Sequence, residues 1–155
     1  MDKNFINIYN YLINYTRNEK LYSSLNRNDN FSDRLTLFLL HFAFFLKVFK
    51  NNDKKIIQEI YDFMFKQLEL SIREIGYGDV TINKKMKDYV NLFHLIISKL
   101  ENWDSINLND KNKQINTLLN ISNIVDLSVY FDKYSIELKN NTLNFYIKGV
   151  VKDKF

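Results

Sequence analysis

Apolar side chains recur every three or four residues along most of the chain, which is the spacing of amphipathic helices rather than of strands. The clearest example is 53–75, whose apolar stripe comprises Ile56, Ile60, Met64, Leu68, Ile72 and Ile75. The chain contains no proline, and asparagine is absent from 31–50 and from 53–82, so these two blocks are expected to form the long core helices. The pattern therefore predicts an all-α fold.

The same spacing sets the expected bounds of the helices. We expect a first helix over about 4–15, with 17–25 left open as a further short helix. The helices that follow are expected over about 33–50, 53–75, 82–102, 110–139 and 142–148. The 110–139 region is predicted to break near 120–123. A chain of 155 residues can bury a full hydrophobic core, so we expect about five or six helices in a single compact domain, residues 1–155.

Composition argues against several classes of function. The absence of cysteine excludes a disulfide framework, a thiolate metal site and a cysteine nucleophile. His41 and His94 stand in separate apolar helices with no second histidine at metal-ligand spacing, so no enzyme, metal or cofactor is expected. The longest apolar run, 35–49, is shorter than the about 20 residues that a membrane span needs, and it is predicted to be a buried central helix.

The positive charge gives little information about partners. The net charge is +4 and the pI about 9.1, but lysine and asparagine are both abundant, as the AAA and AAT codons of an AT-rich genome would produce. Residues 51–82 sum to −2, so the positive field is not focused as in a dedicated polyanion binder, and no DNA partner is expected. Arginine is the informative cation because of its planar, bidentate fork, and it occurs only at Arg17, Arg27, Arg34 and Arg73.

A Gly-Tyr-Gly-Asp step follows the 53–75 helix and holds two of the three glycines, Gly76 and Gly78. Gly76 falls where a left-handed residue ends a helix, and Asp79 or Thr81 is the expected N-cap of the 82–102 helix. Neither the Walker spacing nor a complete G-x-G-x-x-G is present, although Lys84 lies near a helix N-terminus where anions can bind. The favoured interpretation is a helix–turn–helix corner; a surface that another protein recognises is the alternative.

Arg34, Phe38 and His41 share one face of the 33–50 helix, whose expected N-cap is Ser32 or Asp33. A buried arginine or histidine needs partners, and acidic groups of the next helix or of the corner are the candidates. We therefore predict a polar network that fixes helix register, comprising Arg17, Arg34, His41 and Glu69. The alternative is that this network supports an exposed binding surface.

One segment resembles the signature of a known family. LSIREIGYGDVTINKKMK, together with the preceding Leu68 and Glu69, resembles M-D-x-x-L-R-E-M-G-V-G-D-L-S-V-x-K-R-V-K of the ubiquinol–cytochrome c chaperone family. The matching positions are Leu68, Glu69, Ile72, Arg73, Glu74, Ile75, Gly76, Tyr77, Gly78, Asp79, Val80, Thr81, Ile82, Lys84 and Lys85.

Two upstream segments are similar to the same family. DNFSDRLTLFLLHFAFFL is similar to D-T-F-D-G-R-F-D-L-L-x-L-H and places Asp29, Phe31, Arg34, Leu37 and His41 in register. TRNEKLY is similar to A-R-x-x-x-x-Y through Arg17 and Tyr22. The chain departs from the pattern at Asp33, where the family usually has glycine, and at Gln67, where an acid is common.

The resemblance implies an α-helical, non-enzymatic assembly factor for respiratory complex III. It implies that the protein binds newly made cytochrome b. Further partners implied by the resemblance are a small partner protein, the ribosome and, by peripheral contact, the membrane. It also implies a cytoplasmic location at the inner face of the bacterial inner membrane, or the matrix side in a mitochondrion. The N-terminus, which lacks the basic start and apolar region of a secretory signal, is consistent with that location.

The residues expected to face a partner lie in the signature segment. They are Arg73, Glu74, Gly76, Gly78, Asp79 and Lys84. The rival interpretation is a basic helical module that binds RNA or an anionic membrane surface as its own function.

Overall fold

The computed structural model describes residues 4–25, 30–121 and 126–149, and these form helices and connecting turns without a β-strand. The helices are α1 Ile6–Thr16, α2 Glu19–Leu25, α3 Phe31–Phe49, α4 Lys54–Ile75, α5 Asp79–Leu100, a short 3₁₀ turn Trp103–Ser105, α6 Leu108–Leu118, α7 Ser128–Lys139 and α8 Leu143–Lys148. The all-α prediction is confirmed.

The described residues contain eight α-helices rather than five or six. The short segment after α1 is a helix, and the predicted 110–139 helix is divided into α6 and α7. Asn120, just after α6, takes a positive φ of 54°, which stops a right-handed helix. The predicted break falls there, although 122–123 lie outside the described residues.

Helix α3 is the centre of the core. Every residue from Leu35 to Phe45 is buried, and α1, α5 and α7 pack against the helix. A helix that is covered on all sides has no need of a polar stripe, which explains its nearly continuous apolar sequence. The Phe42 ring stacks on Phe93 of α5 at a centroid distance of 5.1 Å, and the prediction of a buried central helix is confirmed.

Helices α4 and α5 pack against each other and are joined by three residues. The predicted stripe of α4 is buried at Ile60, Met64, Leu68 and Ile72. Ile75 is instead 59% exposed, because the last turn of α4 extends beyond the core. Among the described residues, none of the helices combines the length and hydrophobicity needed to cross a membrane.

The predicted N-caps were wrong at two helices. Asn30 caps α3, where its side-chain oxygen accepts from the Asp33 N–H at 2.9 Å, so the cap is not Ser32 or Asp33. Helix α5 begins at Asp79, three residues earlier than expected, and Gly78 stands at its N-cap without a side-chain cap bond. Asp79 is the first residue of α5 rather than its N-cap, and its carboxylate pairs with Arg73 of α4.

Candidate functional site

The α4–α5 corner, residues 73–85, holds all the residues predicted to face a partner. Gly76 ends α4 with φ 105° in the left-handed region, so the predicted glycine helix stop is confirmed. Gly78 differs, since its φ of −75° and ψ of 164° suit any residue, and a Cβ there would meet no atom within 4 Å. The chain itself therefore requires a glycine at 76 but not at 78.

Arg73 links the two helices of the corner. Its guanidinium donates to the Asp79 carboxylate at 2.6 Å, and its Nε lies 3.8 Å from the Glu69 carboxylate. Lys66 also approaches Glu69, at 3.3 Å. The bond to Asp79 raises the pKa of Arg73. Because Asp79 lies in the first turn of α5, its negative charge also complements the positive end of that helix.

Large apolar side chains are exposed around this ion pair. Val80 is 85% exposed, Ile75 59% and Tyr77 43%. The Lys85 ammonium lies 4.8 Å from the centre of the Tyr77 ring, which is within cation–π distance. Three such side chains within six residues, beside paired charges, form a surface with both apolar and ionic character.

The six predicted partner-facing residues lie in this exposed corner, with Glu74 and Lys84 exposed beside the glycines, Arg73 and Asp79. Glu69 belongs to the same region through Arg73, rather than to a network around His41. The sequence reasoning did not identify Ile75, Tyr77 and Val80 as an exposed set. The available signal was that the apolar stripe of α4 continues to the last residue of the helix, Ile75, directly before the Gly-Tyr-Gly step.

His41 is fully buried and has partners that the sequence reasoning missed. Its Nδ1 lies 2.7 Å from the Leu37 carbonyl oxygen of its own helix, and its Nε2 lies 2.6 Å from the Tyr130 hydroxyl of α7. The rings of Tyr15 and Tyr134 lie 5.9 and 4.9 Å away between centroids. Burial lowers the pKa of His41 to about 4, so the ring is neutral at physiological pH.

The prediction of a buried arginine beside this histidine was wrong. Arg34 is exposed, and it lies in the first turn of α3, about 10 Å along the helix axis from His41. Arg17, just after α1, is exposed as well. Hydrogen-bonding groups that are uncharged satisfy His41 instead. Arg27 and Asp29 lie outside the described residues.

A second polar cluster holds the 3₁₀ turn to α6 and α7. The buried Trp103 indole N–H donates to Asp132 at 2.8 Å, and Lys111 donates to both oxygens of the same carboxylate at 3.1 and 3.2 Å. The Lys111 ammonium also lies 5.2 Å from the Trp103 ring centre. The 3₁₀ turn, α6 and α7 are thereby joined at one carboxylate.

In the part of the chain that the structure describes, no group of three or more histidine or acidic side chains is placed to hold a metal ion. Exposed apolar side chains with charged residues beside them, as at this corner, are a feature of protein interaction sites. The comparison with protein families gives a more specific result. Residues 23–103, just over half of the chain, match the ubiquinol–cytochrome C chaperone family, and the chain belongs to that family.

The matched residues contain α3, α4, α5 and the whole α4–α5 corner. The resemblance predicted from the signature segment is therefore confirmed. No curated protein and no solved structure matches the chain.

Proposed function

We propose that the chain, acting as a single chaperone-like domain over residues 1–155, assists assembly of ubiquinol–cytochrome c reductase (complex III) without being an enzyme. Its client in this proposal is newly made cytochrome b. The observation that carries the proposal is the family match over 23–103, which includes the exposed corner. No cofactor is needed, because holding a client requires only a complementary surface.

The α4–α5 corner is the proposed partner-facing surface. A newly made membrane subunit exposes apolar segments, and a protein that holds one needs apolar side chains at a surface with polar surroundings. Ile75 and Val80 supply exposed apolar area, and the Arg73–Asp79 pair with Glu74 and Lys84 supplies the polar surroundings. These features support the assignment of the corner to partner contact.

Gly78 supports the same assignment because neither its conformation nor its packing explains why a glycine stands there. Its backbone is in an ordinary conformation and the space around its Cα is open. A glycine that neither conformation nor packing requires leaves the backbone accessible to a close partner. By contrast, Gly76 serves the fold through its left-handed conformation. In this proposal, Gly76 serves the fold and Gly78 serves partner contact.

Because the proposed client is a membrane protein, the proposal includes peripheral contact with the membrane at its cytoplasmic or matrix face. A small partner protein and the ribosome belong to the proposal as further contacts. The moderate net charge of +4 is compatible with approach to rRNA or anionic lipid.

The test is site-specific photo-crosslinking during synthesis of cytochrome b. A crosslinker at Val80 is expected to capture newly made cytochrome b, whereas one at the exposed Asn140 after α7 is not. Gly78→Ser is expected to reduce capture severalfold while the protein stays folded, because serine is also a favourable N-cap residue. Equal capture from Val80 and Asn140, or unchanged capture by a folded Gly78→Ser variant, would overturn the placement of the site.

The rival function, a basic module for RNA or anionic membranes, makes a different prediction. It requires tight binding to unrelated RNA or anionic vesicles that falls steeply with salt. The proposed chaperone binds such partners weakly and captures cytochrome b selectively. Titration of the protein with both ligands over a range of salt concentrations distinguishes the two.

A further inference from the structure

The chain between the end of α4 and the start of α5 has no buried side chain to hold it against the core. Ile72 and Ile82 are buried, and every residue from 73 to 81 is exposed. Gly78, at the N-cap of α5, supplies no side-chain cap bond. Neither burial nor a side-chain cap on α5 therefore fixes the shape of this exposed segment.

The Arg73–Asp79 ion pair joins the two ends of the segment. The Arg73 guanidinium donates to the Asp79 carboxylate at 2.6 Å, across the three residues that connect the helices. The Arg73 Nε lies 3.8 Å from the carboxylate of Glu69, one turn earlier on α4. The guanidinium is thus engaged within the chain at two of its nitrogens, which leaves less of it for a partner.

Two other charged residues of the corner differ from this pair. Glu74 and Lys84 are exposed, and no ion pair to either is found among the residues that the structure describes. Glu74 stands next to Ile75, and Lys84 lies about one turn after Val80 on α5, so both charges adjoin exposed apolar side chains. Their charges are available to a partner.

We propose that Arg73 and Asp79 are positioning residues of the corner. Their bond holds the end of α4 and the start of α5 together, so that the exposed apolar side chains of both helices form one surface. Glu74 and Lys84 make the ionic contacts with the client. These roles rest on the proposed function, because they are assigned within the same site.

The expected effects of breaking the pair are local rather than global. An exposed ion pair contributes little to the stability of a whole domain, so the free energy of unfolding should change little in Arg73→Ala or Asp79→Ala. A segment without buried side chains opens more easily than the core. Amide hydrogen exchange over 76–82 should therefore become about two- to fivefold faster in each variant.

A double-mutant cycle on client capture separates positioning from direct contact. Capture is measured with the photo-crosslinker at Val80 during synthesis of cytochrome b. Arg73→Ala and Asp79→Ala should each reduce capture about two- to fivefold, and the double variant should lose no more than either one, because all three break the same bond. Asp79→Asn should retain most of the capture, since its amide oxygen still accepts from Arg73. Glu74→Gln combined with Lys84→Gln should instead lose the product of the two separate losses, as expected for independent contacts.

The Lys47–Asp104 pair, beyond the C-terminal end of α5, provides the matched control. Its ammonium and carboxylate are 3.0 Å apart, and Asp104→Ala should leave capture and the exchange rates over 76–82 unchanged.

Two results would show direct contact with the client and overturn the proposal. One is a double variant that loses the product of the single losses, and the other is an Asp79→Asn variant that loses as much capture as Asp79→Ala. Unchanged exchange over 76–82 in Arg73→Ala would overturn it as well. If the crosslinker at Val80 captures no cytochrome b in the unaltered protein, the proposed function fails, whereas the exchange rates still decide whether the pair holds the corner.

Discussion

The stability of the protein is expected to fall as the pH drops from neutral towards 4, because His41 cannot take up a proton in the folded chain. The ring is fully buried between α3 and α7, and its two nitrogens are already engaged by the Leu37 carbonyl and the Tyr130 hydroxyl. The titratable side chains against it are Tyr15, Tyr130 and Tyr134, which offer no negative charge to stabilise an imidazolium. Burial accordingly lowers the pKa of His41 from 6.5 to about 4.

Between pH 6.5 and about pH 4, the unfolded state binds a proton at His41 that the folded state does not. The contribution of neutral His41 to the free energy of unfolding is therefore fully present above pH 6.5, and it is lost as the pH falls towards the pKa of the folded state. A difference of about 2.5 pH units at about 1.4 kcal/mol each corresponds to about 3 kcal/mol, with about 2 kcal/mol already lost by pH 5. That loss is a large fraction of the about 5–15 kcal/mol by which a typical domain is stable.

Urea denaturation at pH 7, 5 and 4 measures this loss directly. The pH dependence of the free energy of unfolding should be much smaller in His41→Gln, whereas His94→Gln, which alters the exposed histidine of α5, should retain it. If the unaltered protein and His41→Gln lose the same free energy between pH 7 and pH 4, the buried, neutral state of His41 is refuted.

Three substitutions test other parts of the structure by the same denaturation assay. Gly76→Ala should destabilise the chain by about 1–2 kcal/mol, because alanine must adopt φ 105°, and an unchanged stability would contradict the left-handed stop. Asp132→Ala should lower the free energy of unfolding by about 1–3 kcal/mol, because the buried Trp103 N–H loses its acceptor. Asp132→Asn keeps an acceptor oxygen and should recover much of that loss. Equal losses in the two variants would contradict this role of Asp132. Gly149→Ala should destabilise the protein, because the added Cβ would lie 2.5 Å from Asn7 Cγ. Combining it with Asn7→Gly should relieve that clash and reduce the loss of stability. If the loss is unchanged, backbone strain at residue 149 alone is responsible.

Local and periodic features were predictable from the sequence. The apolar stripe of α4 predicted the buried Ile60, Met64, Leu68 and Ile72, and Gly76 marked the end of the helix. The continuous apolar character of α3 predicted a central position. These features depend on neighbouring residues of the same helix, whose spacing is visible in the chain itself.

Features that depend on tertiary structure were not predictable in the same way. The partner of His41, Tyr130, is 89 residues away, and nothing in the local pattern pairs them. The exposure of Ile75 depends on where the core ends, and Asp79 could not be distinguished from a helix cap until its contact with Arg73 was known. The candidate corner came from its resemblance to a family signature, whereas its exposed apolar surface required the structure.

The most direct test of the central claim is a reduced-minus-oxidised absorption spectrum of membranes from a strain that lacks this protein. The proposed function predicts selective loss of the b-type and c-type cytochrome signals of complex III, with other cytochromes intact. Restoring the natural chain should recover these signals, and restoring a folded Gly78→Ser variant should recover them only in part. An unchanged spectrum in a strain confirmed to make complex III would contradict the assignment of this chain to complex III assembly.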